Sequence, residues 1–292
     1  MIDQQLEVFV MVAEKQNFTR AAEALHMTQP AVSQYIRMFE ESMGQRLLER
    51  TNKYVYLNKA GEIVYHHAKE IIALYDRMEN LVGDLTDNPV GPLSIGASYT
   101  FGEYVLPEIL AKMKRNYPEI KPIVSIGNTK EIADLVKRHQ LDIGIVEGDF
   151  IQDKELTMED VATDFMYIVA SPQHPLNLHK DKIGSESLEQ VEWFLREKGS
   201  GTRAATDKVF QQLEIQPKST LTLGSTQPIK SLVEKGMGIS LMSEWAIQKE
   251  LRDGDVTILP VEGLPLSRKF STLIATPFRS KALQVFIKLL HE

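Results

Sequence analysis

The stretch AEKQNFTRAAEALHMTQPAVSQYIRMFEESMGQRLLER, residues 13–50, decides the fold of the N-terminal part of the chain. Apolar residues at helical spacing predict two helices within it, over residues 19–25 and 28–43. A threonine begins each segment and is suited to N-capping, because its hydroxyl accepts from unpaired backbone N–H groups. Only His26 and Met27 separate the segments. Two helices joined this tightly cross at a steep angle, which predicts a helix-turn-helix whose second helix reads DNA.

The second predicted helix has one apolar and one polar face. Its inward set is Ala31, Val32, Ile36 and Phe39. The other side carries short or flexible polar side chains, of the kind that bind base edges and phosphates in the major groove. From this pair of helices we expect DNA contacts by Thr19, Arg20, Thr28, Gln29, Pro30, Ser33, Gln34 and Arg37. The alternative is an ordinary three-helix packing unit whose polar face binds nothing.

The next segment, LLERTNKYVYLNKAG at residues 47–61, alternates apolar and polar residues and predicts a short hairpin, or wing. Arg50, Thr51 and Lys53 at its tip are expected to contact phosphates. The chain has a net charge of -7, which opposes DNA binding. Residues 1–59 hold seven Lys or Arg against seven Asp or Glu, whereas residues 46–59 hold four against one. A DNA contact therefore depends on basic charge focused on one face.

Toward the N-terminus, residues 2–15 place Leu6, Phe9, Val10 and Ala13 on one stripe of a first helix. This segment is acidic and amphipathic, unlike a signal peptide, and no run approaches the roughly eighteen apolar residues that span a bilayer. We therefore expect no membrane association and a cytoplasmic location. Because the chain has no cysteine, disulfides, thiolate zinc sites and cysteine nucleophiles are excluded.

A long helix is predicted after the wing, from residue 58 to about residue 87. Its apolar residues follow a heptad spacing, which predicts a seam that pairs with a second copy. The seam consists of Val64, Ala68, Ile71, Tyr75, Met78, Val82 and Leu85. The alternative is a helix that lies on its own domain. His66 and Glu70 share a face, but without a third ligand a solvated face is favoured over a metal site.

The remainder of the chain alternates β-like and helical runs after the breaker-rich segment TDNPVGP, which predicts an α/β body with a parallel sheet. The order breaks at FMYIVASPQHP, and the last strand and helix return to the first series. We expect a DNA-binding domain over 1–58, a linker and dimerisation helix over 59–88 and a two-lobed body over 89–292. Lobe I would contain about 89–163 and 268–292, and lobe II about 164–267.

Short polar turns follow several of the predicted strands and lead into helix N-termini, where backbone donors and the helix dipole favour a negative group. The candidate effector-binding residues in these turns are Ser98, Tyr99, Thr100, Asn128, Thr129, Gly199, Ser200, Gly201, Thr202, Arg203, Ser225 and Thr226. Convergence of these turns in a cleft between the lobes predicts a site for a small anion. Taken singly, each turn is better explained as an ordinary N-cap, so the prediction depends on the presence of four such turns, and Arg203 has the alternative of pointing to solvent.

The string quoted at the outset closely resembles the LysR-type transcriptional regulators through the whole helix-turn-helix and wing. That resemblance implies a winged helix-turn-helix, a dimerising linker helix and a periplasmic-binding-protein-like effector domain. Where the family very often has an arginine pair before the wing turn, this chain reads RTNKYVYLN. The strings REKGSGTR and TFGEYVLPEILAKMKRNYPEI resemble the subset that governs carbon dioxide fixation and sulfur assimilation, whose effectors are sulfur oxyanions, related precursors or phosphorylated metabolites.

Two rival classes share parts of this pattern. A transport binding protein has the same body plan but would carry an export signal and no DNA-binding head. An enzyme would require a catalytic motif, and we find no G-x-S-x-G, Walker loop or zinc-spaced His-Glu pair. We therefore expect a transcription regulator without catalytic residues, metal or cofactor. Its expected partners are double-stranded operator DNA, further copies of itself as a dimer or tetramer, a small anionic effector and RNA polymerase.

Overall fold

The computed structural model describes residues 3–50, 54–83, 89–148, 155–177 and 183–292. The chain forms two units, Met1–Leu85 and Thr86–Glu292. The elements of the first unit are α1 (Asp3–Lys15), α2 (Phe18–Ala24), α3 (Gln29–Met43), β1 (Leu48–Arg50), β2 (Val55–Leu57) and α4 (Lys59–Gly83). Its core joins the first three helices, and the rings of Phe9 and Phe39 lie with centroids 5.4 Å apart.

Of the two N-caps that were predicted for α2 and α3, the structure has one and not the other. Thr28 caps α3 as predicted, accepting from the backbone N–H of Ala31 at 3.4 Å. The prediction of Thr19 as the cap of α2 is wrong, because Asn17 accepts from the backbone N–H groups of Thr19 and Arg20 at 2.9 and 3.0 Å. Asparagine is as good a cap as threonine, and the helix begins one residue earlier than expected.

The predicted wing is an antiparallel hairpin of β1 and β2, with Leu48 opposite Leu57. Its entry is held by Glu40, whose Oε1 accepts from the backbone N–H groups of Leu47 and Leu48 at 2.8 and 3.1 Å. At its exit α4 passes close to the chain, since a Cβ on Gly61 would lie 2.1 Å from the carbonyl oxygen of Leu47. Only glycine permits this approach.

The heptad seam predicted on α4 requires correction at its start. Ala68 is 1% exposed and, with Val64, packs into the core of its own helix-turn-helix unit. This half of the helix therefore follows the alternative of lying on its own domain. Farther along, five large apolar side chains are exposed, namely Ile71, Leu74, Tyr75, Met78 and Val82. They include Leu74, which the heptad count omitted, whereas Leu85 lies outside the described residues.

The second unit is a two-lobed α/β structure. The elements before the first crossing strand are β3 (Gly91–Ser98), α5 (Tyr99–Tyr104), α6 (Leu106–Asn116), β4 (Ile120–Gly127), α7 (Thr129–Lys137) and β5 (Ile143–Glu147). Strands β3, β4 and β5 pair in parallel, as the alternating pattern predicted. Residues 99–116 form two helices, α5 and α6, because a break at Val105 precedes Pro107 in the first turn of α6.

The later elements build the second lobe and return to the first. They are β6 (Thr157–Ala170), α8 (Ser185–Glu189), β7 (Glu192–Arg196), α9 (Gly201–Gln212), β8 (Ser219–Leu223), α10 (Thr226–Glu234), β9 (Ser240–Ser243), α11 (Glu244–Asp253), β10 (Thr257–Ile258), β11 (Leu266–Ile274) and α12 (Lys281–Leu290). Strands β7 and β8 pair in parallel, and the main sheet runs β10-β6-β11-β5-β3-β4 with β9 also on β6.

Two long antiparallel strands, β6 and β11, connect the lobes. Strand β11 pairs with β5 of lobe I and with β6 along its length, while the end of β6 pairs with β9 and β10 of lobe II. The expected lobe boundaries at residues 163/164 and 267/268 fall inside these shared strands. Each lobe has its own core, centred on the ring contact of Phe101 with Phe270 in lobe I and of Trp193 with Phe210 in lobe II.

Candidate DNA interface and effector site

The polar face predicted on α3 is solvent-facing. Gln29, Pro30, Gln34 and Arg37 are exposed, and Ser33 is half-buried. Side chains one helical turn apart interact along this face, where Gln29 Nε2 donates to Ser33 Oγ at 2.9 Å and Arg37 Nε to Glu41 Oε1 at 2.8 Å. Thr19, Arg20 and Thr28 at the starts of α2 and α3 are also exposed. The face therefore presents amide, hydroxyl and guanidinium groups together.

A concavity of about 790 Å³ lies between α3 and the wing. It is lined by Ser33, Arg37, Glu40, Arg46, Leu48, Glu49 and Asn58. Asn58 holds its rim, donating to the carbonyl oxygen of Arg46 and accepting from the N–H of Gly61. Arg46 beside Arg37 adds basic charge that the choice of candidate DNA contacts omitted.

The wing carries two exposed tyrosines, Tyr54 and Tyr56. Tyr56 donates its hydroxyl hydrogen bond to Glu49 Oε2 at 2.8 Å, and this interaction raises the pKa of the phenol. Arg50 ends β1, and the predicted contacts Thr51 and Lys53 lie outside the described residues.

In the second unit, the predicted turns all follow carboxyl ends of strands and meet where the lobes adjoin. The turns of Thr129 in lobe I and Gly201 in lobe II are in direct contact. Thr129 Oγ1 donates to the carbonyl oxygen of Glu147 at 3.4 Å and accepts from the N–H of Gly201 at 3.2 Å. The N–H of Lys130 donates to the carbonyl oxygen of Gly199 at 3.1 Å. A Cβ on Gly201 would lie 2.2 Å from the carbonyl oxygen of Glu147, so this contact requires glycine.

A pocket of about 250 Å³ opens beside this contact. Its lining comprises Thr129, Glu147, Gly148, Lys198, Gly199, Ser200, Gly201, Arg203, Ala204 and Asp207. Two candidate residues here serve ordinary local roles as well. Asn128 forms a complete capping box with Glu131, and Arg203 binds Asp207 Oδ1 and the carbonyl oxygen of Arg196. Arg203 is thus held within its own lobe.

Arg268, which sequence reasoning missed, joins two other predicted turns. Its Nη2 donates to Thr100 Oγ1 of lobe I at 3.3 Å, and its Nη1 donates to Thr202 Oγ1 of lobe II at 3.2 Å. Its Nε donates to Asp164 Oδ2 at 2.7 Å, and Ser243 Oγ donates to the other oxygen of Asp164. The guanidinium is therefore a buried bridge at the centre of the two crossing strands.

Arg196, at the end of β7, is the second missed residue and also touches both lobes. Its guanidinium carbon lies 4.4 Å from the ring centroid of Tyr99, and its Nη1 donates to Thr226 Oγ1 at 3.2 Å. Nε and Nη2 form a fork on the carboxylate of Glu197 at 2.8 and 2.9 Å. Burial raises the pKa of Glu197, but the hydrogen bonds and charge of Arg196, together with hydrogen bonds from the Glu197 backbone and Asn128, lower the pKa overall. The sequence feature that could have indicated this residue is an arginine at the end of an otherwise apolar strand.

Ser98 and Ser225 precede α5 and α10 without capping them through their side chains. Ser98 is fully buried, and its Oγ has no hydrogen-bond partner among the described residues. Ser200, by contrast, caps α9 by accepting from the N–H of Thr202 at 3.2 Å. The structure therefore separates the predicted turns into capped ones, near Asn128 and Ser200, and uncapped ones beside Arg196.

Glu147 lies between these groups at the end of β5 and is 2% exposed. Thr100 Oγ1 donates to its Oε1 at 3.4 Å, and Arg268 Nη1 lies 3.6 Å from the same oxygen. Burial raises the pKa of this carboxyl, and the neighbouring charge of Asp164 raises it further, whereas Arg268 and Arg196 oppose the rise.

A second buried charge group lies at the adjoining edge of the lobes. Lys230 pairs with Glu250, donates to the carbonyl oxygen of Ala246 at 2.9 Å and lies 5.1 Å from the ring centroid of Tyr104. Burial, followed by the charges of Glu103 and Glu250, raises the pKa of Tyr104. Two aromatic rings of lobe I, those of Tyr99 and Tyr104, thus contact buried cations of lobe II, Arg196 and Lys230 respectively.

Within the described ranges, no group of three or more His, Asp or Glu residues is placed to hold a metal ion. His66 and His67 both contact Glu70 on α4, at 3.4 and 3.1 Å. In the same part of the chain, no helix combines the length and apolar character that a membrane span needs.

A winged helix-turn-helix unit followed by a two-lobed α/β unit with a polar site between its lobes defines a ligand-responsive DNA-binding regulator. Residues 4–62 match the family described as "Bacterial regulatory helix-turn-helix protein, lysR family", and residues 86–292 match the "LysR substrate binding domain". The chain belongs to the LysR family. It is a transcriptional regulator with a DNA-binding helix-turn-helix and an effector-binding domain.

The chain is similar to named regulators and to solved structures of regulators. The HTH-type transcriptional regulator CysL of Bacillus subtilis (strain 168) is 38% identical over 289 residues, covering 98% of this chain and 96% of that protein. The regulatory domain of Synechocystis PCC6803 CcmR, in complex with 2-PG, is 27% identical with a TM-score of 0.63, covering 69% of this chain and 96% of that domain. Full-length CbnR complexed with its target DNA has the same fold, with 19% identity, a TM-score of 0.72 and 98% of both chains covered.

Proposed function

We propose that this regulator is controlled by a small anionic metabolite that binds between the lobes of its second unit, against Arg196. The observation that carries the proposal is the position of that guanidinium, which contacts Tyr99 of lobe I and Thr226 of lobe II. A ligand held there would contact both lobes and would therefore favour their closed arrangement. In this proposal residues 1–58 bind DNA, 59–88 link and dimerise, and 89–292 respond to the effector.

The groups around Arg196 suit an oxyanion. The side chain has five N–H donors, of which three are used on Glu197 and Thr226, so two remain for a ligand. Ser98 Oγ, next to Tyr99 in the chain, adds a buried hydroxyl, and α10 begins here with N–H groups that its own N-cap side chain does not bind. A planar, permanently charged guanidinium binds phosphate and carboxylate oxygens in pairs, which a hydrated ammonium does less well.

The relatives support this ligand class. CcmR, whose regulatory domain matches this one, binds 2-PG, and 2-phosphoglycolate is an anion. CysL and the RuBisCO regulators among the relatives agree with the subset that the strings REKGSGTR and TFGEYVLPEILAKMKRNYPEI indicated. Sulfur oxyanions and phosphorylated metabolites are therefore the first ligands to examine. The cleft binds its ligand without transforming it, so the protein is not an enzyme.

On the DNA side, we propose that α3 enters the major groove and that Gln29, Ser33, Gln34 and Arg37 contact it. Two copies paired through the exposed apolar part of α4 would place two reading helices on one two-fold operator. Effector binding changes DNA affinity only if the ligand prefers one of two assembly states. The protein would act on the chromosome in the cytoplasm, with RNA polymerase as its further partner.

The experiment is a thermal-shift screen of the full-length chain against sulfate, sulfite, thiosulfate, phosphate and 2-phosphoglycolate. A ligand at one hundred times its Kd stabilises the folded state by about 2.7 kcal/mol, which raises Tm by several degrees. The matched variant is Thr226→Val, which removes one hydroxyl beside Arg196 without changing charge and is expected to reduce the shift. If no anion stabilises the wild-type chain, the proposed effector class is wrong.

A further inference from the structure

The buried carboxyl of Glu147 has a distribution of contacts that the effector site alone does not explain. All of its recorded side-chain contacts, from Thr100 and Arg268, fall on Oε1, and they are long at 3.4 and 3.6 Å. Oε2 is buried and has no hydrogen-bond partner among the described residues. A buried polar atom without a partner destabilises the folded state and is rare enough in native proteins to indicate a role.

The neighbouring carboxylate explains why Glu147 is poorly paired. Arg268 lies between two acidic side chains, and it binds Asp164 through Nε at 2.7 Å while Ser243 occupies the second oxygen of that carboxylate. Glu147 is left with a longer contact to Nη1 of the same guanidinium, at 3.6 Å. Two carboxylates that share one cation in a buried site disfavour double ionisation, and the less well paired of them is the one that retains a proton.

Charged and polar groups of several elements either act on the Glu147 carboxyl or line the pocket beside it. They are Thr100 on α5, Asp164 on β6, Arg196 on β7, Lys198 before α9, Arg203 and Asp207 on α9, and Arg268 on β11. Arg268 and Arg196 favour ionisation, Asp164 opposes it, and burial opposes it most strongly, so the pKa is raised. Lys198 and Arg203 lie at the pocket that Glu147 helps to line, and Arg203 is already paired with Asp207.

We propose that Glu147 is uncharged in this regulator and donates a hydrogen bond from Oε2 to an unprotonated oxygen of the anionic effector, so that effector and proton are held together. This rests on the proposed function, since it assigns a specificity-determining residue to the same interlobe site. Only the neutral carboxyl can act in this way, because an ionised carboxylate has acceptors alone and repels an anion. The donor selects fully deprotonated oxyanions, such as sulfate or a phosphate dianion, over ligands that offer only hydroxyl groups.

The position of Glu147 also places this carboxyl at the contact between the lobes. Gly201 of lobe II packs against the Glu147 backbone, and both residues line the same pocket. A ligand bound to Oε2 would therefore lie next to the contact that holds the lobes together.

The test compares the wild-type chain with Glu147→Gln, which keeps a donor but cannot ionise. Binding of sulfate and 2-phosphoglycolate is measured by calorimetry from about pH 6 to about pH 9. The wild-type affinity should fall by up to about tenfold per pH unit once Glu147 ionises, whereas the glutamine variant keeps its donor. The Kd of the wild-type chain is divided by the Kd of Glu147→Gln at each pH, which cancels the ionisation of the probe. A ratio that rises with pH supports the proposal, and a constant ratio overturns it.

Asp207→Asn is the matched control, because it removes a negative charge from the same pocket without removing a buried donor. It is expected to change affinity by a similar factor at every pH. A pH-dependent change of the size seen with Glu147→Gln would mean that general electrostatics causes the effect, which overturns the assignment to Glu147.

A ligand-free measurement separates this inference from the proposed function. A carboxyl with a raised folded-state pKa stabilises the fold least at high pH, because stability is lost as the pH rises from the unfolded value of about 4.3 through the folded value. Wild type should therefore lose stability relative to Glu147→Gln with rising pH, and parallel profiles overturn the proposal. Diverging profiles with no anion bound by either chain would refute the effector class and the ligand contact, while confirming the uncharged carboxyl.

Discussion

The guanidinium carbon of Arg196 lies 4.4 Å from the ring centroid of Tyr99, although 97 residues separate the two in sequence. The contact joins an arginine of lobe II to an aromatic residue of lobe I. Because the arginine also donates to Thr226 of lobe II, one side chain contacts polar turns of both lobes.

We expect Arg196→Lys to reduce anion affinity by at least about tenfold, because lysine keeps the charge but loses the planar fork. The measurement is ligand titration of the full-length protein, with DNA affinity recorded with and without ligand. Arg252→Lys in α11, an exposed residue paired with Asp253, is the control and should bind as wild type. Equal affinity of Arg196→Lys and wild type would count against the site.

Arg268→Met is expected to destabilise the second unit by about 3–5 kcal/mol, because it leaves the fully buried Asp164 without its cation. Urea unfolding measures the change. The double variant Arg268→Met with Asp164→Asn should recover part of the loss, since no uncompensated buried charge remains. A double variant less stable than the single one would mean that packing, and not charge, dominates at this position.

Gln34→Ala should lower the discrimination between operator and random DNA by about 1–3 kcal/mol, the usual value of a bidentate base contact. Fluorescence anisotropy with both DNAs at fixed salt gives the ratio. The control is Gln45→Ala, an exposed glutamine in the turn after α3. An unchanged ratio in the Gln34 variant would show that this face of α3 does not read bases.

Tyr75→Asp combined with Met78→Asp should yield monomers in sedimentation, because both side chains are exposed and apolar on the second half of α4, at 39% and 52%. His66→Asp introduces a carboxylate about two and a half helical turns before Tyr75, on the opposite face of the helix, and is expected to leave dimers intact. Dimers that persist in the double variant would refute self-pairing through this helix.

Asn17→Ala should cost the first unit about 1 kcal/mol of stability, since two backbone N–H groups lose their acceptor. Thr19→Ala, at the position expected from sequence to be the cap, should cost less than Asn17→Ala. Thermal unfolding of both variants decides between the residues, and a larger loss at Thr19 would contradict the observed cap.

The helix-turn-helix could be predicted closely because its determinants are local. One continuous stretch contains the helical spacing, the Thr28 cap and the two-residue turn. The structure that they specify depends on contacts between neighbouring segments. The wing was predicted in the same way, from the alternation of apolar and polar residues over residues 47–61. The error at Thr19 arose because adjacent residues compete for the cap, and sequence does not show which of two good acceptors reaches the free N–H groups.

The effector region was predictable only in part. Polar turns at strand ends indicated Ser98, Thr100, Thr129, Thr202 and Thr226, but not the groups that connect them. Arg196 and Arg268 were missed because sequence patterns predict that a charged residue in a strand is exposed to solvent. Their burial is seen only in the structure. The seam on α4 was misplaced for a related reason, since the same heptad spacing describes Ala68, which faces its own domain, and Met78, which faces solvent.

The sequence by itself determined the class of this protein, because family membership, the reading helix and the alternating α/β pattern all reside in local order. Only the tertiary structure decided which residues form the interlobe site. The hydrogen bond from Arg268 to Thr100 spans 168 residues, and Glu147 acquires its unusual environment from five different elements. Burial and charge pairing of this kind depend on the packing of distant segments, which no local pattern encodes.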